Sequence, residues 1–247
     1  MYYKLKNSTD RKQIGTYYIQ TKGFVDGYDI HGPNSRTRFE WDKFPDFVPD
    51  LRFELEKKSK LTDVVNPDNI SARGFLINEK VKEIFDECLL PEHRYYEATL
   101  LNHDGNVLPY YWLHLISNDY KMIDFESSIF RKTKDLMKFN SIKEDPIYPI
   151  KDLKDFKDTN SSIFENNIFI VFDVLKIHNT QKYDMLHFGD IDVNSVFISE
   201  KLATLLKKAK ITGIDIIEYP DVQDMESDVI FTLVEIEFQP LQIDSSQ

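Results

Sequence analysis

A short segment in the second half of the chain concentrates side chains that could bind a metal ion. It reads "YDMLHFGDID" and offers carboxylate and imidazole ligands from Asp184, His187, Asp190 and Asp192. This set would suit a metal-dependent hydrolase or another small enzyme. A catalytic metal, however, usually takes its ligands from separate elements of a fold, and an Asp-rich loop before a strand is most often a solvated turn. We therefore expect no metal and no other cofactor, and the enzyme is the alternative function.

A second chemically distinctive segment is acidic. The eight residues "DVQDMESD" hold four carboxylates: Asp221, Asp224, Glu226 and Asp228. A charge run of this kind is usually a solvated loop, but acidic groups also accelerate association with a basic partner and fix its orientation. Glu235 and Glu237 lie on the strand predicted after this loop and are expected to point outward. We take these carboxylates as candidate contacts with a basic protein surface.

An aromatic, proline-rich stretch is the third candidate. "RFEWDKFPDFVPDLRFEL" places Trp41, Phe44 and Phe47 around Pro45 and Pro49, which forbid a regular helix. Such aromatic side chains either pack under the loop as a small satellite core or form an exposed anchor for another protein. Trp41 is the candidate for contact with a partner.

Templates of known catalytic classes are missing from the sequence. It contains no GxGxxG, phosphate loop, HExxH or GxSxG, and its one cysteine, Cys88, leaves no cysteine pair for zinc. Cys88 falls on the apolar face of a predicted helix and is expected to be a small core residue. The prediction is that this protein is not an enzyme.

Composition limits the class of protein and of partner. The 247 residues are 41% hydrophobic and 30% charged, which is typical of a folded globular protein, and we predict a single domain over 1–247. A net charge of −11 argues against a nucleic-acid partner. The most apolar run, "NIFIVFDVL", is too short to span a bilayer, so we expect no membrane partner. Together with the lack of disulfide pairs, these features predict a cytoplasmic protein.

The chain contains an internal echo that predicts how it is built. Residues 195–219, "SVFISEKLATLLKKAKITGIDIIEY", match residues 74–98 at an offset of 121, with identities such as Ile77 and Ile198. Both copies read as strand, capped helix and strand, and a further strand follows each at 108–117 and 229–238. The fold class predicted is α+β, with a mixed or antiparallel sheet built from two strand-helix-strand-strand units, 74–117 and 195–238. Their helices are expected on one side, and residues 1–70 form a strand and loop region.

The ordered set of these pieces resembles a known family. "FLINEKVKEIF", "YYEATLLN", "YYWLHLISNDYKMIDFESSIF" and the later "VFISEKLATLLKKAKITGIDIIEY" look like the bacterial immunity proteins found beside polymorphic toxins, in the family often called immunity protein eleven. The likeness covers roughly residues 70–220 and consists of pattern and order, including Asp119 and Asp124 after the "YYWLHLI" strand.

The resemblance implies inhibition by binding. Such a protein would stay in the cytoplasm of the producing cell and neutralise a cognate toxin domain. The family carries no shared catalytic residues to transfer to this chain, and contacts tend to be specific to each toxin. A basic toxin surface is therefore the expected partner of the acidic residues and of Trp41.

Overall fold

The computed structural model describes residues 1–70, 72–118, 120–133, 147–164, 168–189, 191, 195–220 and 222–224. The chain divides into two compact units. Unit 1 contains Met1–Tyr120 and Tyr183–Pro220, and unit 2 contains Lys121–Lys182 and Asp221–Gln247. The expectation of a single domain stays a prediction.

The described residues form strands, four α-helices and the loops that connect them. The elements before residue 120 are β1 (Tyr2–Asn7), α1 (Arg11–Ile14), β2 (Arg52–Glu54), β3 (Val64–Val65), β4 (Gly74–Ile77), α2 (Glu79–Asp86), β5 (His93–Leu101) and β6 (Val107–Leu115). The middle elements are β7 (Ile123–Thr133), β8 (Ile147–Tyr148), α3 (Leu153–Phe164) and β9 (Phe169–Ile177). The last elements are β10 (Met185–Leu186), β11 (Val196–Ser199), α4 (Glu200–Lys208), β12 (Ile214–Glu218) and β13 (Val222–Asp224).

Unit 1 contains a five-stranded mixed sheet with the order β2-β5-β6-β4-β3. β2 runs parallel to β5, and the other pairs are antiparallel. β5 and β6 form a hairpin whose turn has Gly105 at φ +83°, a left-handed conformation that glycine adopts without steric cost. Asp104–Gly105 is a strong hairpin turn signal in the sequence, and the hairpin forms at this place.

The second sheet of unit 1 is antiparallel, with the order β10-β11-β1-β12. Its central strand β1 comes from the N-terminus of the chain. Tyr3 lies opposite Ile198 and Glu218, just as Tyr111 in the first sheet lies opposite Ile77 and Glu97. The offset of 121 thus relates the flanking strands of the two sheets, while β1 holds the place that β6 holds in the first.

Both helices of the echo are capped as the sequence predicts. Asn78 accepts a hydrogen bond from the Val81 amide, and Ser199 accepts one from the Leu202 amide. Their apolar faces enter one core with alternate residues of both sheets. That core includes Leu5, Phe75, Ile77, Val81, Phe85, Leu113, Ile198, Leu202 and Leu206.

The N-terminal region covers the other face of the five-stranded sheet. Strand residues that point away from α2, such as Leu76, Leu100 and Trp112, pack with Phe39 and Phe53 in a second buried cluster. The region up to residue 72 therefore has two structural roles, since it supplies β1 and closes this face.

Unit 2 contains a four-stranded sheet with the order β13-β9-β7-β8. β13 runs parallel to β9, and the other pairs are antiparallel. Phe156 of α3 packs beside Phe130 of β7, with ring centroids 5.8 Å apart. Arg131 and Asp173 form a largely buried ion pair at 3.0 Å across β7 and β9.

The predicted α+β class with mixed and antiparallel sheets is confirmed. The predicted strand-helix-strand-strand repeat is not confirmed, because β1 is the strand that lies between β11 and β12, and 229–238 falls outside the described residues. Among the helices of the described part, none is both long and apolar enough to cross a bilayer.

Candidate functional site

The Trp41 loop, residues 38–48, presents large apolar side chains to solvent. Its first residue ends a short 3-10 helix, Arg36–Arg38. Residues 39–48 form no helix or strand, as the prolines predict. Trp41 is 43% exposed and Val48 is 82% exposed. These two residues are the exposed large apolar side chains of this loop, and an exposed tryptophan is a common anchor at protein interfaces.

The base of this loop is held by aromatic contacts. Phe39 is buried and meets the rings of Phe47, Tyr96 and His114 edge-on, at centroid distances of 6.4, 5.5 and 5.2 Å. Phe44 also contacts His114, at 5.2 Å. Phe44 and Phe47 are half-buried, so they form the satellite core that the sequence allowed, whereas Trp41 above them stays exposed.

A surface pocket of about 360 Å³ opens within the loop. Residues 38, 40 and 43–47 line it, so its wall mixes both signs of charge with the rings of Phe44 and Phe47. Lys43 and Glu40 form an ion pair at 2.9 Å on its rim. A pocket of this volume can receive a side chain of a partner or a small ligand.

Polar groups without partners lie beneath the loop. His114 is fully buried on β6, and neither of its ring nitrogens has a hydrogen-bond partner in the described structure. The Tyr96 hydroxyl and the Trp112 indole nitrogen, at neighbouring positions of β5 and β6, also lack one. Each such group costs about 1–3 kcal/mol, and proteins tolerate this cost most often at functional sites.

Burial keeps His114 neutral at physiological pH. It lowers the pKa of His114 from 6.5 to about 4; the nearby Glu40 backbone opposes this effect, and the charge of Arg94 adds to it. The Arg94 guanidinium lies over the Phe44 ring at 4.5 Å, on the same side of the sheet. The loop therefore packs on an uncharged imidazole.

The described members of the predicted metal cluster have structural partners. Asp184 accepts hydrogen bonds from the Ser199 hydroxyl at 2.7 Å, Lys201 Nζ at 2.9 Å and the Leu89 amide at 3.0 Å. Although its burial alone would raise the pKa of Asp184, these donors bring the pKa below its ordinary value. His187 is buried and donates from Nδ1 to the Ser195 carbonyl oxygen at 3.1 Å.

Asp190 and Asp192 lie outside the described residues. Within the described ranges, no group of three or more His, Cys, Asp or Glu side chains is arranged to hold a metal ion. Asp184 instead joins β10, α4 and the end of α2, which is a structural task.

Most of the predicted acidic contacts lie outside the part of the chain that the structure describes. Asp221, Glu226, Asp228, Glu235 and Glu237 lie outside the described residues. The backbone of Asp224 lies in β13, beside β9. Trp41 is the remaining predicted contact, and it is exposed as a contact residue must be.

Strand alternation in "YYWLHLI" allows His114 either a core position with a hydrogen-bond partner or a place on a solvated face. The structure places it in the core without a partner. Its alternation with Tyr110 and Trp112 on β6, both buried, was the signal for burial. The missing partner is a tertiary property, since it depends on Phe39 and Phe44 from a distant segment.

Comparisons with known proteins identify no family for this chain. No protein-family model matches this chain, and no curated protein matches it. The Trp41 loop, its pocket and its buried imidazole base are therefore the features of unit 1 on which a function is argued.

Proposed function

We propose that this protein is an immunity protein that binds a cognate bacterial toxin domain and neutralises it in the cytoplasm of the producing cell. The family resemblance over roughly residues 70–220 supports this proposal. The observation that carries it is the Trp41 loop, which exposes Trp41 and Val48 while aromatic contacts fix its base.

This arrangement has the physical properties of an interface anchor. A tryptophan buries a large area with few rotatable bonds, so it loses little entropy on binding. Because Phe39 and Phe44 hold the loop, less ordering has to accompany association. The neighbouring pocket can receive a side chain of the partner, and Arg38 on its wall can pair with a partner carboxylate.

The first test is co-expression with the product of the neighbouring upstream gene. We expect that product alone to kill the host, and this protein to restore growth and to co-purify with it as a stable complex. Toxicity without rescue would contradict immunity. Rescue without a complex would contradict neutralisation by binding.

Replacing Trp41 by alanine is expected to weaken toxin binding by about 30-fold or more, since anchor tryptophans contribute about 2 kcal/mol or more. Stability should change little because the side chain is exposed. Isothermal titration calorimetry measures the affinity. Val107→Ala, at another exposed apolar residue of unit 1, is the control and should bind as the parent does. Equal affinities for Trp41→Ala and the control would place the interface elsewhere.

Reversing the acidic segment tests the second predicted contact. Lysine at Asp221, Asp224, Glu226 and Asp228 should weaken binding of a basic toxin by about 100-fold, chiefly at low salt where charge attraction is least screened. The control carries four reversals at exposed carboxylates that form no side-chain hydrogen bond or ion pair in the described part of the chain: Asp26, Glu83, Glu87 and Glu218. Both variants change net charge equally. A similar loss in both would mean that total charge, and not this segment, controls association.

A further inference from the structure

The folding of the N-terminal region creates a basic surface on an acidic protein. α1 and the segment after it lie against the turn at residues 56–61: the Thr16 amide donates to the Lys58 carbonyl at 2.9 Å, and the Lys60 amide donates to the Ile14 carbonyl at 2.8 Å. We call the exposed residues brought together here the lysine–tyrosine surface. Its members are Arg11, Lys12, Tyr17, Tyr18, Ile19, Lys57, Lys58 and Lys60.

The five cations of this surface keep their charge unpaired. None of them forms an ion pair in the described part of the chain, although Lys22, Lys82 and Lys201 each do. The protein has 42 acidic residues against 31 basic ones, so carboxylates are plentiful. The two nearest in sequence, Asp10 and Glu56, accept hydrogen bonds from backbone amides instead. Five cations and these two carboxylates therefore lie together here, so positive charge is in excess on this surface.

Apolar side chains adjoin this charge. Tyr17, Tyr18 and Ile19 are consecutive and are 44%, 52% and 43% exposed. The next residue, Gln20, is buried and donates to the Lys60 carbonyl at 2.9 Å and the Thr62 hydroxyl at 3.1 Å. Gln20 therefore anchors the backbone while the three preceding side chains face solvent. Tyrosine is enriched at protein interfaces, and the lysines beside it are suited to the polar rim of one.

We infer that the lysine–tyrosine surface binds an acidic segment of a partner protein that also carries apolar side chains. The net charge of −11 repels an acidic partner over the rest of the surface, so attraction at this patch would both select and orient it. Tyr17 and Tyr18 offer rings on which bases can stack, but the net charge of −11 opposes a strand that carries one charge at every phosphate, which favours a polypeptide. The inference rests on the proposed function in one respect, that the natural partner is the toxin.

The first experiment measures binding of a defined probe to the full-length protein. The probe is a fluorescein-labelled peptide of alternating Glu and Leu, followed by fluorescence anisotropy at low and high salt. We expect saturable binding that weakens with salt, and weak binding of the matched peptide with Gln in place of Glu. The variant with Gln at Lys57, Lys58 and Lys60 should lose at least about tenfold in affinity.

A matched variant separates the surface from total charge. Lys151, Lys154 and Lys157 lie exposed in and beside α3 of unit 2, and their replacement by Gln removes the same charge. This control should bind the acidic peptide within about twofold of the parent. The pair Tyr17→Ser and Tyr18→Ser should also weaken binding, because the apolar contribution is lost while the charge remains.

Three outcomes would overturn the inference. Equal losses in both lysine variants would assign the effect to net charge alone. Tighter binding of a thymidine oligonucleotide than of the peptide would make this a nucleic-acid surface. A dimer in sedimentation velocity that Gln at Lys57, Lys58 and Lys60 dissolves would mean that a second copy of this acidic chain is the occupant.

Co-purification with the toxin separates this inference from the proposed function. A complex that survives with equal affinity in both lysine variants would overturn the assigned surface and leave immunity standing. If the parent forms no complex at all while the peptide results hold, immunity fails and the acidic-segment site stands.

Discussion

Replacing Gly213 by alanine is expected to lower the free energy of unfolding of unit 1 by about 3–5 kcal/mol. Gly213 has φ +88°, and an added Cβ would lie 1.8 Å from the Val64 carbonyl oxygen. The residue cannot move away easily. Its carbonyl accepts from the Ser8 amide at 2.9 Å, its amide donates to Gln13, and the adjacent Thr212 carbonyl accepts from the Val64 amide at 3.0 Å.

A matched glycine isolates the cause of this loss. Gly105 has a similar φ of +83°, but nothing lies within 4 Å of its added Cβ. Gly105→Ala should therefore cost only the backbone strain, about 1–2 kcal/mol. Urea unfolding followed by tryptophan fluorescence suits both variants, because Trp41 and Trp112 both belong to unit 1. Equal losses at the two glycines would contradict the close approach at Gly213.

Replacing His114 by phenylalanine is expected to remove a large part of the acid sensitivity of unit 1. The imidazole has a pKa of about 4 when buried, against 6.5 when exposed. Above about pH 6.5 His114 carries no proton in either the folded or the unfolded protein, so its titration does not lower the free energy of unfolding. As the pH falls toward 4, the unfolded state binds a proton that the folded state does not, so stability falls. The difference in pKa corresponds to about 3 kcal/mol.

Phenylalanine preserves the shape of this site. The His114 ring already packs among Phe39, Phe44 and Tyr96 and makes no hydrogen bond within the described structure. Stability near neutral pH should therefore stay within about 1 kcal/mol of the parent. Near pH 4 the variant should be more stable than the parent by up to about 3 kcal/mol.

Urea unfolding at a series of pH values measures this difference. Other groups titrate in the same range, but they are shared by parent and variant, so the difference between the two curves isolates His114. His31→Phe, in an exposed loop of unit 1, is the control and should follow the parent at every pH. A His114→Phe curve parallel to that of the parent would mean that the imidazole is solvated.

The functional predictions concern two surfaces of unit 1, and the stability predictions concern the buried residues of the same unit. Trp41 and the lysine–tyrosine surface both belong to unit 1, and their exposure follows from neighbouring residues that are anchored, Phe39 in one case and Gln20 in the other. Stability measurements on Gly213 and His114 variants test the framework beneath them. Binding measurements on Trp41 and the three lysines test the surfaces themselves.

The sequence by itself determined the local elements and their ends. Asn78 and Ser199 begin α2 and α4 because a side-chain oxygen there accepts an otherwise unpaired amide of the first turn. Asp104–Gly105 closes the β5–β6 hairpin because glycine accepts a positive φ. Helical spacing predicts an apolar face of Val81, Ile84, Phe85 and Cys88 in the first helix and of Leu202, Leu205, Leu206 and Ala209 in the second. Val81, Phe85, Leu202 and Leu206 are buried, the other four are partly buried, and Ala203 is buried as well.

Some local patterns led to wrong expectations. The charged stretch 131–160, with its two prolines, has the pattern of a surface connection, yet α3 begins at Leu153 within it. Phe156 of this polar helix is fully buried and packs against Phe130 of the sheet. The apolar run "IFIVF" is typical of a strand buried on both faces; β9 is a strand there, and its buried residues alternate with half-buried ones.

Only the tertiary structure decided which distant segments meet. The sequence echo predicted that a strand follows each repeated helix and strand, but the place between β11 and β12 belongs to β1, from the other end of the chain. The unpartnered state of His114 and the gathering of Arg11, Lys12, Lys57, Lys58 and Lys60 have the same origin. Strand propensity and helix periodicity act over a few residues, whereas strand order and surface charge depend on contacts between residues far apart in sequence, which a local pattern does not contain.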